Sequence, residues 1–534
     1  MTKDFAVAGQ LLPEQLAEVA ALGFKTIINN RPDAEAADQP SSDTMAATAR
    51  ELNLAYYYLP VVPNQLTADL AKELDDILQQ APAPVLAYCR TGNRSGQLFN
   101  LRNNLPPSAA TDTQARVEST REVLIVGGGA GGLAAAASLL KRDRKLQITV
   151  IEPSDVHYYQ PGWTLVGGGV FRQQQTVRQM GSVMPRGVEW IKDAVASFEP
   201  DDNAVVLQSG TRLNYQYLVV APGLKIEWDK IEGLTDTLGS NGVTSNYHFD
   251  HAPGTWEKIC NLQQGNAVFT QPPMPIKCAG APQKAMYQAA WYWEQQQRLK
   301  NINVHFFNAG GVLFGVPDYV PALESYISRY GIDIHYQHQL VAVDGPARKA
   351  FFQTPDTDDR IEVSFDFLHV SPPQCAPDFI AGSPLAGSAG WVDVDQATLQ
   401  HTRFSNVFSL GDVASTSNAK TAAAVRKQAP VVAHNIVSLK HNRDSVAHYE
   451  GYGSCPLIVE RGKVILAEFG YGGVLQPTMP SWILNGKQAT RLGWILKAHM
   501  LPPIYFDMML KGHEWLATPP VVRAGLNSSI VNEV

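Results

Sequence analysis

Residues 121–153, REVLIVGGGAGGLAAAASLLKRDRKLQITVIEP, decide the fold. A β-branched apolar run ends in Gly127-x-Gly129-x-x-Gly132, a small-residue stretch of helical composition follows, and a second apolar run ends in Glu152. Glycines at those positions allow a tight turn, let a pyrophosphate approach backbone amides and let the helix pack closely on the strand, while the helix N-terminus favours phosphate charge. A carboxylate about twenty residues beyond the last glycine is placed to bond ribose hydroxyls. The stretch therefore predicts strand, loop, helix and strand: a dinucleotide-binding unit.

A chain of 534 residues is too long for one hydrophobic core. With 45% apolar and 17% charged residues the chain is globular rather than disordered. A net charge of -7 gives no general pull toward nucleic acid or anionic lipid, so nucleic acid is excluded as a partner and small or apolar molecules are favoured. The opening residues MTKDFAVAGQLLPEQ lack the basic-then-apolar pattern of a secretory signal, and no run of about 18 apolar residues reads as a membrane span. The expected location is the cytoplasmic side, a reducing compartment. Five cysteines make no disulfide framework there, and any that pair are expected to be redox-active. No metal site is read from the sequence.

Residues 406–428, NVFSLGDVASTSNAKTAAAVRKQ, read as a strand ending in Gly-Asp followed by an Ala-rich helix. This is the second signature of two-dinucleotide flavoproteins. Asp412 is expected to bond the ribityl or phosphate region, and the helix beginning near Lys420 to aim its N-terminal dipole at the flavin ring. The two signatures together favour FAD over NAD. Between them, residues 266–293, NAVFTQPPMPIKCAGAPQKAMYQAAWYW, supply the strand of a second nucleotide-binding fold but no glycine loop. Prolines carry no N–H and cannot build an amide cradle, so the nicotinamide site is expected to be absent. Cys278 stands there instead, at a helix N-terminus, where the dipole and Lys277 are expected to favour the thiolate.

Several long stretches now resemble one family: HYYQPGWTLVGGG at 157–169, PIKCAGAPQKAMY at 275–287, LHVSPP at 368–373, GWVDVDQATLQH at 390–401, NAKTAAAV at 418–425 and GYGSCPLIVERGKVILAEF at 451–469. They resemble the sulfide:quinone oxidoreductases of the branch that includes the mitochondrial enzymes, from about residue 121 to the C-terminus. The resemblance implies a redox pair of Cys278 and Cys455. It implies flavin contacts at Ala130, Gly131, Glu152, Gln160, Val195, Asp412, Lys420, Thr421, Ala422 and Ala423. It further implies that hydrosulfide opens a Cys278–Cys455 bridge by thiol–disulfide exchange, that the persulfide forms on Cys455, and that a small thiol or sulfite takes the outer sulfur while quinone removes the electrons. Cys260 and Cys375 are read as structural, with Cys375 open to an accessory sulfur-carrying role.

Quinone lies in membranes, and residues 481–515, SWILNGKQATRLGWILKAHMLPPIYFDMMLKGHEW, mix Trp482, Trp494 and Trp515 with Lys487, Lys497 and Lys511. Leu492, Ile495 and Leu496 share a helical face, which predicts an interfacial anchor, peripheral or monotopic rather than spanning. A lid packed on the core is the other reading.

At the N-terminus, PVLAYCRTGNRSGQLFNL at 84–101 reads as strand, cysteine loop and helix, and GQLLPEQLAEVAALGFKTIINNRPD at 9–33 resembles a small family with a dual-specificity-phosphatase-like fold. Cys89 and Arg94 stand in a Cys-x4-Arg loop, one residue shorter than the phosphatase Cys-x5-Arg, and LPVVPNQLT at 59–67 offers no carboxylate as general acid. CRTGNRS is similar to the active loop of rhodanese sulfurtransferases, which carry a persulfide and need no acid. The expected architecture is α/β: a phosphatase-like domain over 1–105, a linker over 106–120, a discontinuous FAD-binding domain over 121–240 and 385–440, a second Rossmann-like domain over 241–384, and a redox-cysteine and membrane-interface region over 441–534. The predicted function is sulfide oxidation with electron transfer to quinone, the N-terminal domain accepting sulfur. The alternatives are a phosphatase role for that domain, an NADH:quinone oxidoreductase, and a non-catalytic sulfur-binding redox sensor. A homo-oligomer is left open.

Overall fold

The computed structural model describes residues 5–36, 39–62, 66–103, 117–355, 357, 359–418 and 420–523. The chain divides near residue 117 into two compact units. Of the expected linker, residues 106–116 lie outside the described residues and 117–120 already belong to a strand.

The smaller unit alternates β1 (Phe5–Ala8), α1 (Leu16–Ala21), β2 (Thr26–Asn29), α2 (Ser42–Glu51), β3 (Ala55–Tyr58), α3 (Ala68–Gln80), β4 (Val85–Tyr88) and α4 (Asn93–Asn103). Its four strands pair in parallel in the order β1-β4-β2-β3. Successive side chains on a strand face opposite ways. Ile28, Val85 and Ala87 therefore pack under Leu74 and Leu98 on one face, while Ile27, Leu86 and Tyr88 pack under Leu16 and Met45 on the other. Helices cover both faces, and Cys89 emerges at the C-terminal end of a central strand, where ligands bind in such sheets.

The larger unit opens with β5 (Val117–Val126), α5 (Ala130–Arg142) and β6 (Ile148–Ile151), with β5 and β6 parallel. The sheet continues through Glu189–Ile191 on one side and Arg212–Val220 on the other, and Val407–Ser409 pairs with Arg212–Val220. The return of the chain to this sheet after residue 400 brings the Gly411-Asp412 turn beside the first glycine loop. A second sheet has five strands in the order Val243–Thr244, Phe367–His369, Gly265–Gln271, Ile302–Asn308, Asp333–Tyr336, all paired in parallel. A third element is the antiparallel pair Gly453–Glu460 and Lys463–Phe469. Cys455, Leu457 and Val459 on its first strand share a core with Ala285, Ala289 and Trp293 of the helix Ala281–Gln295. That packing carries Cys455 to the helix that begins after Cys278. Among the described residues, no helix is long and apolar enough to cross a membrane.

Candidate active site

The larger unit encloses a cavity of about 490 Å³, a size suited to a cofactor or small substrate. The glycine loop forms one end. Gly127 turns at φ +100°, and a Cβ there would lie 2.5 Å from the Ala221 carbonyl oxygen. At Gly132 a Cβ would overlap the Gly127 carbonyl, so this glycine lets α5 seat on β5. At Gly129 a Cβ would meet nothing, because that backbone faces the open cavity. The Glu152 carboxylate accepts from the Gly128 amide at 2.7 Å and the Ser154 amide at 2.8 Å, which fixes it at the cavity wall.

Asp412, Lys420, Thr421, Ala422 and Ala423 line the cavity with Gly129, Ala130, Gly131, Glu152 and Gln160. Gly127, Gly132 and Val195 do not; Val195 is buried in the core beside Phe198 and Leu213. Burial pushes the Asp412 carboxyl up, opposed by Lys420 and Lys277, and pushes Lys420 down to about 8. The Thr421 hydroxyl caps the helix Ala422–Lys440 by accepting from the Ala424 amide, and that N-terminus faces the cavity. Three buried side chains on the wall keep polar atoms without protein partners: Trp163 Nε1, Thr164 Oγ1, and both Nδ2 and Oδ1 of Asn246. An open glycine cradle, a ribose-reaching carboxylate and orphaned donors fit a flavin dinucleotide.

Cys278 lines the cavity, and the buried Cys455 lies against it with Sγ atoms 3.9 Å apart, close enough for side-chain rotation to bring them into bonding range. Lys284 Nζ donates to Cys278 Sγ at 3.0 Å and is 1% exposed. The Cys455 thiol hydrogen bond, then the Lys284 charge against the opposing effect of burial, hold Cys278 well below the usual thiol range. The same hydrogen bond, with burial, raises Cys455. Cys278 is the thiolate of the pair. Burial works against the charge on Lys284, but the adjacent sulfurs raise its pKa.

Lys277 is the lysine expected to favour that thiolate; its charge interacts with Cys278, but the direct contact to the sulfur is made by Lys284. Lys277 turns away to donate to Gln160 Oε1 at 2.6 Å, over the ring of Trp163. Lys284 lies in the helix Ala281–Gln295, six residues past the cysteine. Lys497 is corrected: it was read as an interfacial anchor, but it is 3% exposed, donates to the Pro161 carbonyl oxygen at 2.9 Å and lines the cavity. Burial first, then the neighbouring Lys284, lowers Lys497 to about 7.

Where a pyrophosphate would need a cradle of free amides, the loop after Gly265–Gln271 is poor in them. Pro272, Pro273 and Pro275 lack N–H groups, the Lys277 amide donates to Gln374 Oε1 at 2.8 Å, and the Cys278 amide donates to the Lys420 carbonyl at 2.9 Å. Cys260 and Cys375 are off the cavity wall.

In the smaller unit, burial opposes ionisation of Cys89, but the amides of Ser95, Thr91 and Arg94 and the Ser95 hydroxyl outweigh it and lower its pKa. Arg94 does not reach for the thiol. Its guanidinium bonds Glu35 at 2.8 and 2.9 Å and the Val61 carbonyl at 2.6 Å. Arg31 bonds the same Glu35 at 2.7 Å, and the two arginines hold that carboxyl below its usual range against burial.

The fold and cavity define a flavoprotein oxidoreductase with two nucleotide-binding folds. A family model described as pyridine nucleotide-disulphide oxidoreductase matches residues 121–259, and one described as beta-lactamase hydrolase-like protein, phosphatase-like domain, matches residues 1–105. The chain is 39% identical over 393 residues to the mitochondrial sulfide:quinone oxidoreductase of Mus musculus, covering 73% of this chain and 87% of that protein. It belongs to the sulfide:quinone oxidoreductase family. The fold is also that of the sulfide:quinone oxidoreductase structure from Aquifex aeolicus, with a TM-score of 0.64 at 20% identity over 76% of this chain and 98% of that one. The smaller unit is similar to a beta-lactamase hydrolase-like protein of Xylella fastidiosa, 32% identical over 101 residues, which is 19% of this chain and 23% of that protein.

Proposed function

We propose that the larger unit oxidises sulfide at the Cys278–Cys455 pair and passes two electrons through FAD to quinone. The observation that carries this is the paired sulfurs 3.9 Å apart, with a buried lysine on Cys278, and with Cys278 on the wall of the cavity that the glycine loop and Asp412 also line. In the oxidised form the two sulfurs are bridged. Hydrosulfide attacks Cys455, the S–S bond breaks, Cys455 becomes a persulfide and Cys278 leaves as a thiolate held by Lys284. A low-pKa leaving thiol speeds this step, which is what the ammonium provides. A thiol or sulfite acceptor then takes the outer sulfur and leaves Cys455 reduced. Re-forming the bridge releases two electrons, and FAD, when bound, would supply the two-electron acceptor that passes them on to quinone. Gly129, Gly131, Glu152, Asp412 and Lys420–Ala423 are the residues that would hold it.

Leu496, Leu501 and Ile504 line the cavity, while Leu492, Ile495 and Met500 of the same helical segment are exposed. A helix with one side on the cavity and another in solvent suits quinone arriving from a bilayer on which the protein lies, on the cytoplasmic side. An NADH-dependent reading is disfavoured by the spent amides at Lys277 and Cys278. Anaerobic sulfide added to the flavin-loaded protein should bleach the flavin, quinone should restore it, and Cys278→Ser or Cys455→Ser should abolish the bleaching. Bleaching by NADH with none by sulfide sinks the proposal.

For the smaller unit we propose a sulfur carrier at Cys89. The amide-stabilised thiolate suits a persulfide, whereas Glu35, the carboxylate brought to Arg94, is pinned in its ionised form and is a poor proton donor for phosphate-ester cleavage. Cys89→Ser should abolish sulfur transfer from thiosulfate to cyanide. Turnover of an aryl phosphate by the wild type, lost in Cys89→Ser, would favour the phosphatase reading instead.

A further inference from the structure

Strands Ile302–Asn308 and Asp333–Tyr336 pair in parallel with His305 opposite Asp333 and Phe307 opposite His335. Residues two apart on a strand share a face, so both histidines and the aspartate project to the same side of the sheet. His305 Nδ1 lies 3.3 Å from His335 Nε2 and 3.5 Å from Asp333 Oδ2, and His335 Nε2 lies 3.2 Å from that same oxygen. The three donor atoms form a nearly equilateral triangle. Around a tetrahedral ion with bonds of about 2.0–2.1 Å, neighbouring donors sit about 3.3–3.4 Å apart, the edge length seen here.

The ligands are held in place by the sheet and by stacking. The His335 ring lies on Phe307 with centroids 4.2 Å apart and planes 10° apart, and Phe307 stacks on Phe352 at 3.9 Å. A hydrogen bond between the two imidazoles uses one proton, whereas a metal ion uses the lone pairs of all three donors at once. Two imidazoles and one carboxylate select a borderline-soft ion over magnesium or calcium, which prefer oxygen sets. Asp333 is 63% exposed along its side chain, which leaves the fourth corner to water. None of the three lines the cavity of the larger unit.

We propose that His305, Asp333 and His335 form a Zn²⁺ site that clamps the edge strand of the second sheet. The sequence reading of no metal is corrected on this view: the ligands come from two strands whose in-register pairing is a tertiary fact, so no short spacing motif announces them.

The test is a calorimetric titration of ZnCl₂ into full-length, flavin-loaded, tag-free protein after chelator treatment. Thiolates also take zinc, so every arm carries Cys278→Ser and Cys455→Ser. The expected result is one tight site per chain that vanishes in His305→Ala/His335→Ala and weakens about tenfold or more in Asp333→Asn, with zinc raising the unfolding midpoint of the parent, less that of Asp333→Asn, and not that of the double-histidine variant. Equal stoichiometry and affinity in parent and double-histidine variant overturns the proposal, as does parent binding weaker than about 100 μM, which is too weak for a preorganised zinc site. If the double variant does not fold, Asp333→Asn decides, and unchanged affinity there overturns it.

Discussion

The chemistry of Cys278 turns on one neighbour. An opposite charge within about 4–6 Å shifts a pKa by roughly 1–3 units, and Lys284 sits 3.0 Å from the sulfur. Lys284→Met should move the pH midpoint of Cys278 alkylation in the reduced protein up by about 1–3 units and slow flavin bleaching by sulfide at neutral pH; an unshifted midpoint would show that Cys455 alone sets the thiolate. Lys497 obeys the opposite sign. Its folded pKa of about 7 lies below the usual 10.5, so the unfolded chain binds the proton more tightly between those values. The cost of burying the charge is complete below pH 7 and is relieved as pH rises toward 10.5. Lys497→Met should therefore raise the unfolding midpoint, most at pH 6 and least near pH 10. A gain that grows with pH would contradict the burial argument.

At the scale of elements, the glycine loop and α5 act as one joint. Gly132→Ala places a methyl against the Gly127 carbonyl, and Ile125 Cγ2 stands 3.1 Å away on the other side. Overpacking of this kind costs about 1–3 kcal/mol, so the variant should purify flavin-poor with a lowered unfolding midpoint; full flavin content by absorbance ratio would refute the close-packing role. This joint was legible because its residues are contiguous and their spacing is dictated by the backbone. The same holds for the strand before Cys89 and for the capped helix at Thr421. Lys284 was harder to read: it lies inside a quoted motif, but the turn at Cys278, with φ +50°, decides which lysine faces the sulfur. Lys497 was misread because a lysine among tryptophans and leucines suits a membrane interface equally well as a buried wall. Only the packing of its helix on the cavity distinguishes them. Arg94 likewise stands where a loop arginine is expected, yet Glu35, far away in sequence, takes its guanidinium.

For the whole molecule, the problem is to join a water-borne substrate to a lipid-borne one. Trp482 is 83% exposed, Ile483 43% and Ile495 47%, and none of the three lines the cavity, so their exposure has no catalytic purpose within the unit. Burying such a side chain in an apolar phase is worth about 1.5–3 kcal/mol, or about tenfold or more in partitioning each. The triple variant Trp482→Ser/Ile483→Ser/Ile495→Ser should lose most of its flotation with phospholipid vesicles. It should also lose sulfide oxidation that depends on a long-chain quinone held in those vesicles. Turnover with a short-chain, water-soluble quinone should be kept, because the cysteine pair, Lys284 and the cavity wall are untouched. Loss with both quinones would place these residues in the folding of the cavity rather than on a membrane face, and retention with both would remove the membrane from the electron path.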